Sequence, residues 1–224
     1  MNFIHSGQSG DIVFSLPTIR EMGGGDLYIV DFDRQRSESI AKLVEVQSYI
    51  GKVVIGERPE SYVDLNKFRE YASHHVNLIK SHFMGAGIPV DHSYKEGWLT
   101  LPENADIKIP DGSYSVINRT ERYIDPNFDW KKEVEYLKTI SDKVYFIGYR
   151  PEFEEFCTKF CDVEYYDCDF LEGAYLIDRA VMFTGCYSAF QAIAMGLGRE
   201  YRLQQAPNHT CSSLLEKRET ILNV

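Results

Sequence analysis

Short apolar runs rich in β-branched and aromatic residues alternate along the chain with stretches whose apolar positions recur every three or four residues. The first period is that of a strand and the second that of an amphipathic helix, so their alternation predicts parallel α/β layers. Residues 2–5 read as a first strand. Ile12, Leu16 and Ile19 then give a helix one buried stripe, and Gly23-Gly24-Gly25 stops it. Strands follow at 27–30, 52–55 and 62–65, with a helix at 37–49. Phe68, Ala72, Val76, Ile79 and Phe83 mark one long amphipathic helix ending at Gly85-Ala86-Gly87. Residues 1–101 therefore make one complete Rossmann-like layer.

Residues 102–112 hold two prolines, a glycine and three acidic residues with no apolar periodicity, and they read as a linker. The βα cycle then restarts over 113–211. Strands are expected at 114–118, 144–147, 163–166, 181–184 and 201–204. Helices are expected at 130–140, where Asp129 supplies the cap, and at 153–160, 170–179 and 188–197. The tail 212–224 has helix-forming character and is expected to pack back toward the first layer.

Composition narrows the class without changing this picture. A 44% hydrophobic share in 224 residues supports a real core and excludes disordered and disulfide-framework chains. The charge is 24 basic against 34 acidic residues, or −10, which speaks against wrapping of nucleic acid or docking on an anionic membrane. The start Met1-Asn2-Phe3-Ile4-His5 lacks the basic residues and apolar run of a signal peptide, and no run approaches the ~20 apolar residues of a membrane span, so a cytoplasmic location is expected. The five cysteines, Cys157, Cys161, Cys168, Cys186 and Cys211, form no CxxC pair and are expected to be reduced thiols with no metal site.

The segment His5-Ser6-Gly7-Gln8-Ser9-Gly10-Asp11 sits between the first strand and the first helix. In an open α/β sheet such a turn lies at the carboxyl end of a strand, where ligands bind. Gly7 and Gly10 allow close backbone approach, and the helix start offers N–H groups to an anion. The spacing is not GxGxxG, so a dinucleotide cofactor is not expected. Asp11 reads either as a helix N-cap or as a carboxylate at a cleft mouth, able to take a proton from a sugar hydroxyl. Asp31-Phe32-Asp33 reads as acidic strand-end residues facing water, and His74, His75 and His82 as partly buried structural histidines.

Ser9-Gly10-Asp11-Ile12-Val13 with Leu16-Pro17 resembles the N-terminal motif of the ADP-heptose:lipopolysaccharide heptosyltransferases, a family of GT-B glycosyltransferases. A second stretch, from Phe183-Thr184-Gly185-Cys186-Tyr187-Ser188 to Leu197-Gly198, aligns without a gap to the family pattern F-x-G-N-D-S-G-x-x-H-L-A-A-A-L-G. Tyr187, Ala189 and Ala192 stand where that pattern has Asp, Gly and His. Ser115-Val116-Ile117-Asn118-Arg119-Thr120-Glu121-Arg122, followed by Trp130, resembles the strand that opens the family's second domain, and Ile147-Gly148-Tyr149-Arg150 another strand end there.

The resemblance implies a small GT-B-like enzyme of two Rossmann-like layers with a cleft between them, an acceptor-side first half and a donor-side second half. It implies transfer of a sugar from a nucleotide-diphosphate donor to an acceptor hydroxyl, inverting and metal-independent, with Asp11 as catalytic base. Substrate or donor contacts are expected from Gly7, Ser9, Gly10, Asn118, Arg119, Thr120, Arg122, Arg150, Gly185, Tyr187, Ser188 and Gln191. No cofactor is expected beyond the nucleotide sugar itself, and the acceptor is open. The altered positions keep two other readings in play: a non-catalytic nucleotide- or sugar-binding module on a reduced GT-B fold, and a sugar-nucleotide epimerase.

Overall fold

The structure is a computed structural model of the chain, describing residues 1–30, 33–72, 76–91, 93–103, 105–204 and the backbone of 219–222. The first half runs β1 (Asn2–His5), α1 (Ser9–Glu21), β2 (Gly25–Ile29), α2 (Arg34–Glu45), β3 (Ile50–Ile55), β4 (Val63–Asp64), α3 (Phe68–Tyr71) and α4 (Leu78–Gly85). The second runs β5 (Tyr114–Asn118), α5 (Trp130–Ile140), β6 (Lys143–Phe146), α6 (Arg150–Lys159), β7 (Glu164–Tyr165), α7 (Phe170–Arg179), β8 (Phe183–Gly185), α8 (Ala189–Gly196), β9 (Tyr201–Gln204) and β10 (Glu219–Leu222). Among the described residues the strands form two parallel sheets, ordered β3-β2-β1-β4 and β10-β9-β8-β5-β6-β7. The expected pair of Rossmann-like layers is present.

Strand order decides where a ligand can enter. In the first sheet the chain moves from β1 to β2 on one side and returns to β4 on the other; in the second it moves from β5 to β6 and returns to β8. Loops leaving the carboxyl ends at these reversals diverge and open a crevice. The crevices therefore lie after β1 and after β5 and β8, where three of the four sequence motifs occur.

Two expectations about elements fail. The long helix over 68–83 is broken: α3 ends at Ala72, whose backbone is extended, and α4 restarts after Asn77, whose side chain accepts the Ile79 N–H at 2.8 Å. The apolar spacing runs on through the break, but Asn77 caps the start of a second helix. In the tail, Glu219–Leu222 is an edge strand parallel to β9, not part of a helix. There the backbone donors and acceptors left open by β9 outweigh helix propensity. Residues 205–218 and 223–224 lie outside the described residues.

The halves are locked together by a shared apolar core that includes Phe3, Ile12 and Leu27 from the first and Val116, Phe183 and Ile193 from the second. Trp98, on the connection between the sheets, sends its indole N–H to the Val13 carbonyl at 3.0 Å, while the Trp98 and Leu99 backbone N–H groups both reach the Gly196 carbonyl, at 2.7 and 2.8 Å. Pro17 explains the first of these bonds. It lies inside α1 and has no N–H to give the carbonyl four residues earlier, which is that of Val13. On the far side of the cleft, Lys42 of α2 pairs with Asp169, the N-cap of α7, at 2.7 Å. A smaller cluster of Ile117, Trp130, Phe146 and Phe156 fastens α5 and α6 to the second sheet.

Candidate active site

A cleft of about 820 Å³ lies between the two sheets, lined by residues of both halves. That is the size range of small-molecule sites, ~300–1,000 Å³. From the first half it takes Ser9, Gly10 and Asp11 at the start of α1 and Asp33 and Arg36 at the start of α2; from the second, Asn118, Thr120 and Arg122 after β5, Tyr149, Arg150 and Glu152 around the start of α6, and Tyr187, Ser188 and Gln191 after β8.

Asp11 is not an N-cap. Gln8 holds that position and its side chain makes no capping bond, so Asp11 occupies the third residue of the first turn. Its carboxyl is partly buried and burial raises its pKa above the ordinary 3.8, while Arg69, the Gln8 backbone N–H and Arg122 pull in the other direction. The raised value makes it a stronger base than a solvated aspartate. Facing it is the start of α8. A Cβ placed on Gly10 would sit 3.6 Å from both the Cα and the N of Ala189, so the two helix starts pack almost backbone to backbone. Ser188 caps α8 by accepting the Gln191 N–H at 3.3 Å. Two N–H-rich helix ends thus meet beside one carboxylate, and such ends favour an anion.

The second half adds polar groups held by specific bonds. Asn118 donates Nδ2 to the Ile147 carbonyl at 2.7 Å and presses on Gly148, whose φ of +134° and lack of a Cβ make room for it. The Asn118 Oδ1 is buried without a protein partner. Thr120 sends its backbone N–H to the buried Cys186 Sγ at 3.1 Å, tying the ends of β5 and β8 together. Burial raises the pKa of Glu152, whose Oε2 accepts the Tyr149 N–H at 3.4 Å. Arg36 lies across the cleft mouth, its guanidinium 5.0 Å from the Tyr149 ring centre.

Ten of the thirteen expected site residues line this cleft: Asp11, Ser9, Gly10, Asn118, Thr120, Arg122, Arg150, Tyr187, Ser188 and Gln191. Gln191 is buried and bonds to the Tyr201 hydroxyl at 3.2 Å, and Tyr187 packs edge-on against Tyr123. Arg150 reaches Glu154 at 3.2 Å and covers the Tyr165 ring. Three residues lie elsewhere. Arg119 is buried under α6, with Nη1 3.6 Å from Glu155 Oε2 and its guanidinium over Phe160, because alternation along the extended chain sends it opposite to Asn118 and Thr120. Gly7 is buried and gives its N–H to His5 Nδ1 at 2.8 Å. Gly185 ends β8, where a Cβ would lie 2.8 Å from the Phe183 ring, so it serves packing.

Sequence reasoning missed Glu152, Arg36, Tyr149 and Tyr165. Only the Tyr149–Glu152 spacing, that of a capping box, hints at the first. Asp31, Phe32, His74, His75 and Cys211 lie outside the described residues, whereas Asp33 caps α2 and lines the cleft, and His82 is buried. No cluster of three or more His, Cys, Asp or Glu side chains suited to a metal occurs among the described residues, and none of their helices is long and apolar enough to cross a membrane.

No family model matches the chain, and no curated protein matches it in sequence. Its fold does match solved structures. E. coli heptosyltransferase WaaC with ADP-2-deoxy-2-fluoro heptose superposes with a TM-score of 0.62 at 11% identity, covering 99% of this chain and 92% of that one. A glycosyl transferase family 9 protein from Veillonella parvula gives 0.70 at 9% identity, over 99% and 84% of the two chains. E. coli ADP-heptose LPS heptosyltransferase II gives 0.66 at 10% identity, over 100% and 90%. The chain has the two-layer fold of these GT-B glycosyltransferases, and at such identities the likeness is one of fold.

Proposed function

We propose that this chain is a glycosyltransferase that moves a sugar from a nucleotide-diphosphate donor to an acceptor hydroxyl, with inversion and without a metal. The observation that carries the reading is the placement of Asp11: a carboxylate with a raised pKa, set beside two facing helix starts in a cleft between the sheets. A fold shared with a structure that holds ADP-2-deoxy-2-fluoro heptose supports a nucleotide sugar as the donor class.

In this reading the second half is the donor side. The start of α8, the Thr120 hydroxyl and Arg122 receive the diphosphate, and Arg150 contributes charge at the rim. Asp11 accepts the proton of the acceptor hydroxyl as its oxygen attacks the anomeric carbon. The bond to the diphosphate oxygen breaks on the opposite face, so the configuration inverts. Departing negative charge is met by helix N–H groups and arginine in place of a metal ion.

The test is a panel of nucleotide sugars screened for stabilisation of the fold and for release of nucleoside diphosphate. Stabilisation with release supports transfer. Stabilisation with no release in the presence of saccharide acceptors supports a binding module, and a new nucleotide sugar in the absence of an acceptor supports an epimerase.

A further inference from the structure

The loop between β1 and α1 has the glycine content of an anion cradle, yet its N–H groups are used internally. The Ser6 N–H and the Ser6 hydroxyl both donate to Asn66 Oδ1, each at 2.8 Å. The Gly7 N–H donates to His5 Nδ1 at 2.8 Å, and His5 is fully buried. Because Nδ1 accepts, it carries a lone pair and the ring proton sits on Nε2. Gly7 is wedged between this ring and Asp11: a Cβ there would overlap the His5 ring edge and lie 3.0 Å from the Asp11 Cβ. The absent Gly7 side chain thus leaves a space that the His5 ring edge and the Asp11 Cβ both border.

We infer that His5 is a positioning residue for Asp11, acting as a hydrogen-bond acceptor that turns the Gly7 N–H inward and sets the loop that leads into the helix turn carrying the carboxylate. The inference rests on the reading of Asp11 as the base. It also assigns the glycine loop a different task from the one its composition suggests: it orients a carboxylate, and the cleft-lining start of α1 is left to meet an anion.

The surroundings fit a neutral acceptor. His5 packs against Phe68 with ring centres 5.9 Å apart and against His82 at 5.5 Å, and His82 stacks on Phe68 at 4.2 Å. Burial, with a smaller push from Arg69, lowers the His5 pKa to about 3. Protonation would place an N–H where the Gly7 N–H already points. Arg69 also belongs to the clamp: Nη1 donates to Asn66 Oδ1 at 2.9 Å, and the guanidinium acts on the Asp11 carboxyl. The charged and titratable groups around Asp11 are therefore Arg69 from α3, Arg122 from the turn after β5, and His82 from α4, where His5 and Arg69 reinforce the downward push of burial while the Leu65 and Asp11 backbone groups oppose it.

The test is nuclear magnetic resonance on the full chain, with no substrate. Long-range ¹⁵N correlation is expected to show His5 neutral with its proton on Nε2 from pH 7 to pH 5, and the Gly7 amide protected from exchange. In His5→Leu the Gly7 amide loses protection at least tenfold and the ¹³C titration midpoint of the Asp11 carboxyl moves. His5→Asn, which keeps an acceptor at the same distance from the backbone, retains both wild-type values. A cationic His5 or an Nδ1–H tautomer at pH 7 overturns the inference, as does an unmoved Asp11 midpoint in a folded His5→Leu. If that variant does not fold, loss of Gly7 protection in His5→Asn overturns it. Since no turnover is measured, a failed transferase assay leaves this result standing, and a failed clamp leaves the transferase reading to its own assay.

Discussion

The Trp98 indole N–H lies 3.0 Å from the Val13 carbonyl oxygen, the acceptor that Pro17 leaves without a helical donor. A proline inside a helix ordinarily costs about 3 kcal/mol. Here the orphaned carbonyl is satisfied from the connection between the two sheets, so a local defect in α1 becomes a joint between the halves. Trp98→Phe is expected to destabilise by about 1–3 kcal/mol, the cost of leaving a buried acceptor unpaired. Pro17→Ala restores a backbone donor, so in that background the tryptophan change should cost less. A double-mutant cycle by urea unfolding measures the coupling; additive changes contradict the account.

A second prediction concerns Glu133, which is buried in α5. It takes both Nε and Nη2 of Arg202 at 2.8 and 2.9 Å and the Thr184 hydroxyl at 2.8 Å, joining α5 to β8 and β9. Removing the cation strands a buried carboxylate, so Arg202→Met is expected to cost about 3–5 kcal/mol. Replacing Glu133 and Arg202 together with Leu and Met should recover much of it. A single variant as stable as the wild type in a thermal melt argues against a buried pair.

Acid should weaken the fold before carboxylates titrate. His5 and His82 have pKa values lowered by burial, to about 3 for His5, against an ordinary 6.5. Between those limits the unfolded chain binds protons that the folded one refuses. Stability is therefore complete above pH 6.5 and falls as the pH drops from there toward 3. Each histidine contributes up to about 1.4 kcal/mol per pH unit. Asp11 has the opposite sign, because burial raises its folded pKa and the folded carboxyl binds a proton first. Urea unfolding at pH 7, 6 and 5 should show the decline, and His82→Phe should flatten it. A level profile in the wild type would refute the assignment.

Much of the fold was legible because strand and helix periods are local. The β1–α1 and β8–α8 motifs placed Asp11 and Ser188 on one cleft, since both lie where the strand order reverses. The break at Ala72 was not legible: apolar spacing continued through it, and nothing in that spacing marked Asn77 as the cap of a second helix. Arg119 was expected among the donor contacts because 115–122 resembles the strand that opens the second domain of the heptosyltransferase family, yet alternation turns it under α6. Glu152 and His5 could not be assigned from sequence, since their roles arise from partners in three-dimensional contact: the Tyr149 N–H and the cleft for one, Gly7 and Asp11 for the other.

The central claim is that Asp11 removes a proton from the attacking oxygen while the second half holds the donor. The most direct measurement compares the wild type and Asp11→Asn for release of nucleoside diphosphate from nucleotide sugars, alongside the thermal shift each shows with the nucleoside diphosphate alone. The account predicts release slowed at least about 100-fold in Asp11→Asn, in line with the loss of a general base, with the thermal shift unchanged. Equal release by both proteins, or loss of the thermal shift together with release, would contradict it.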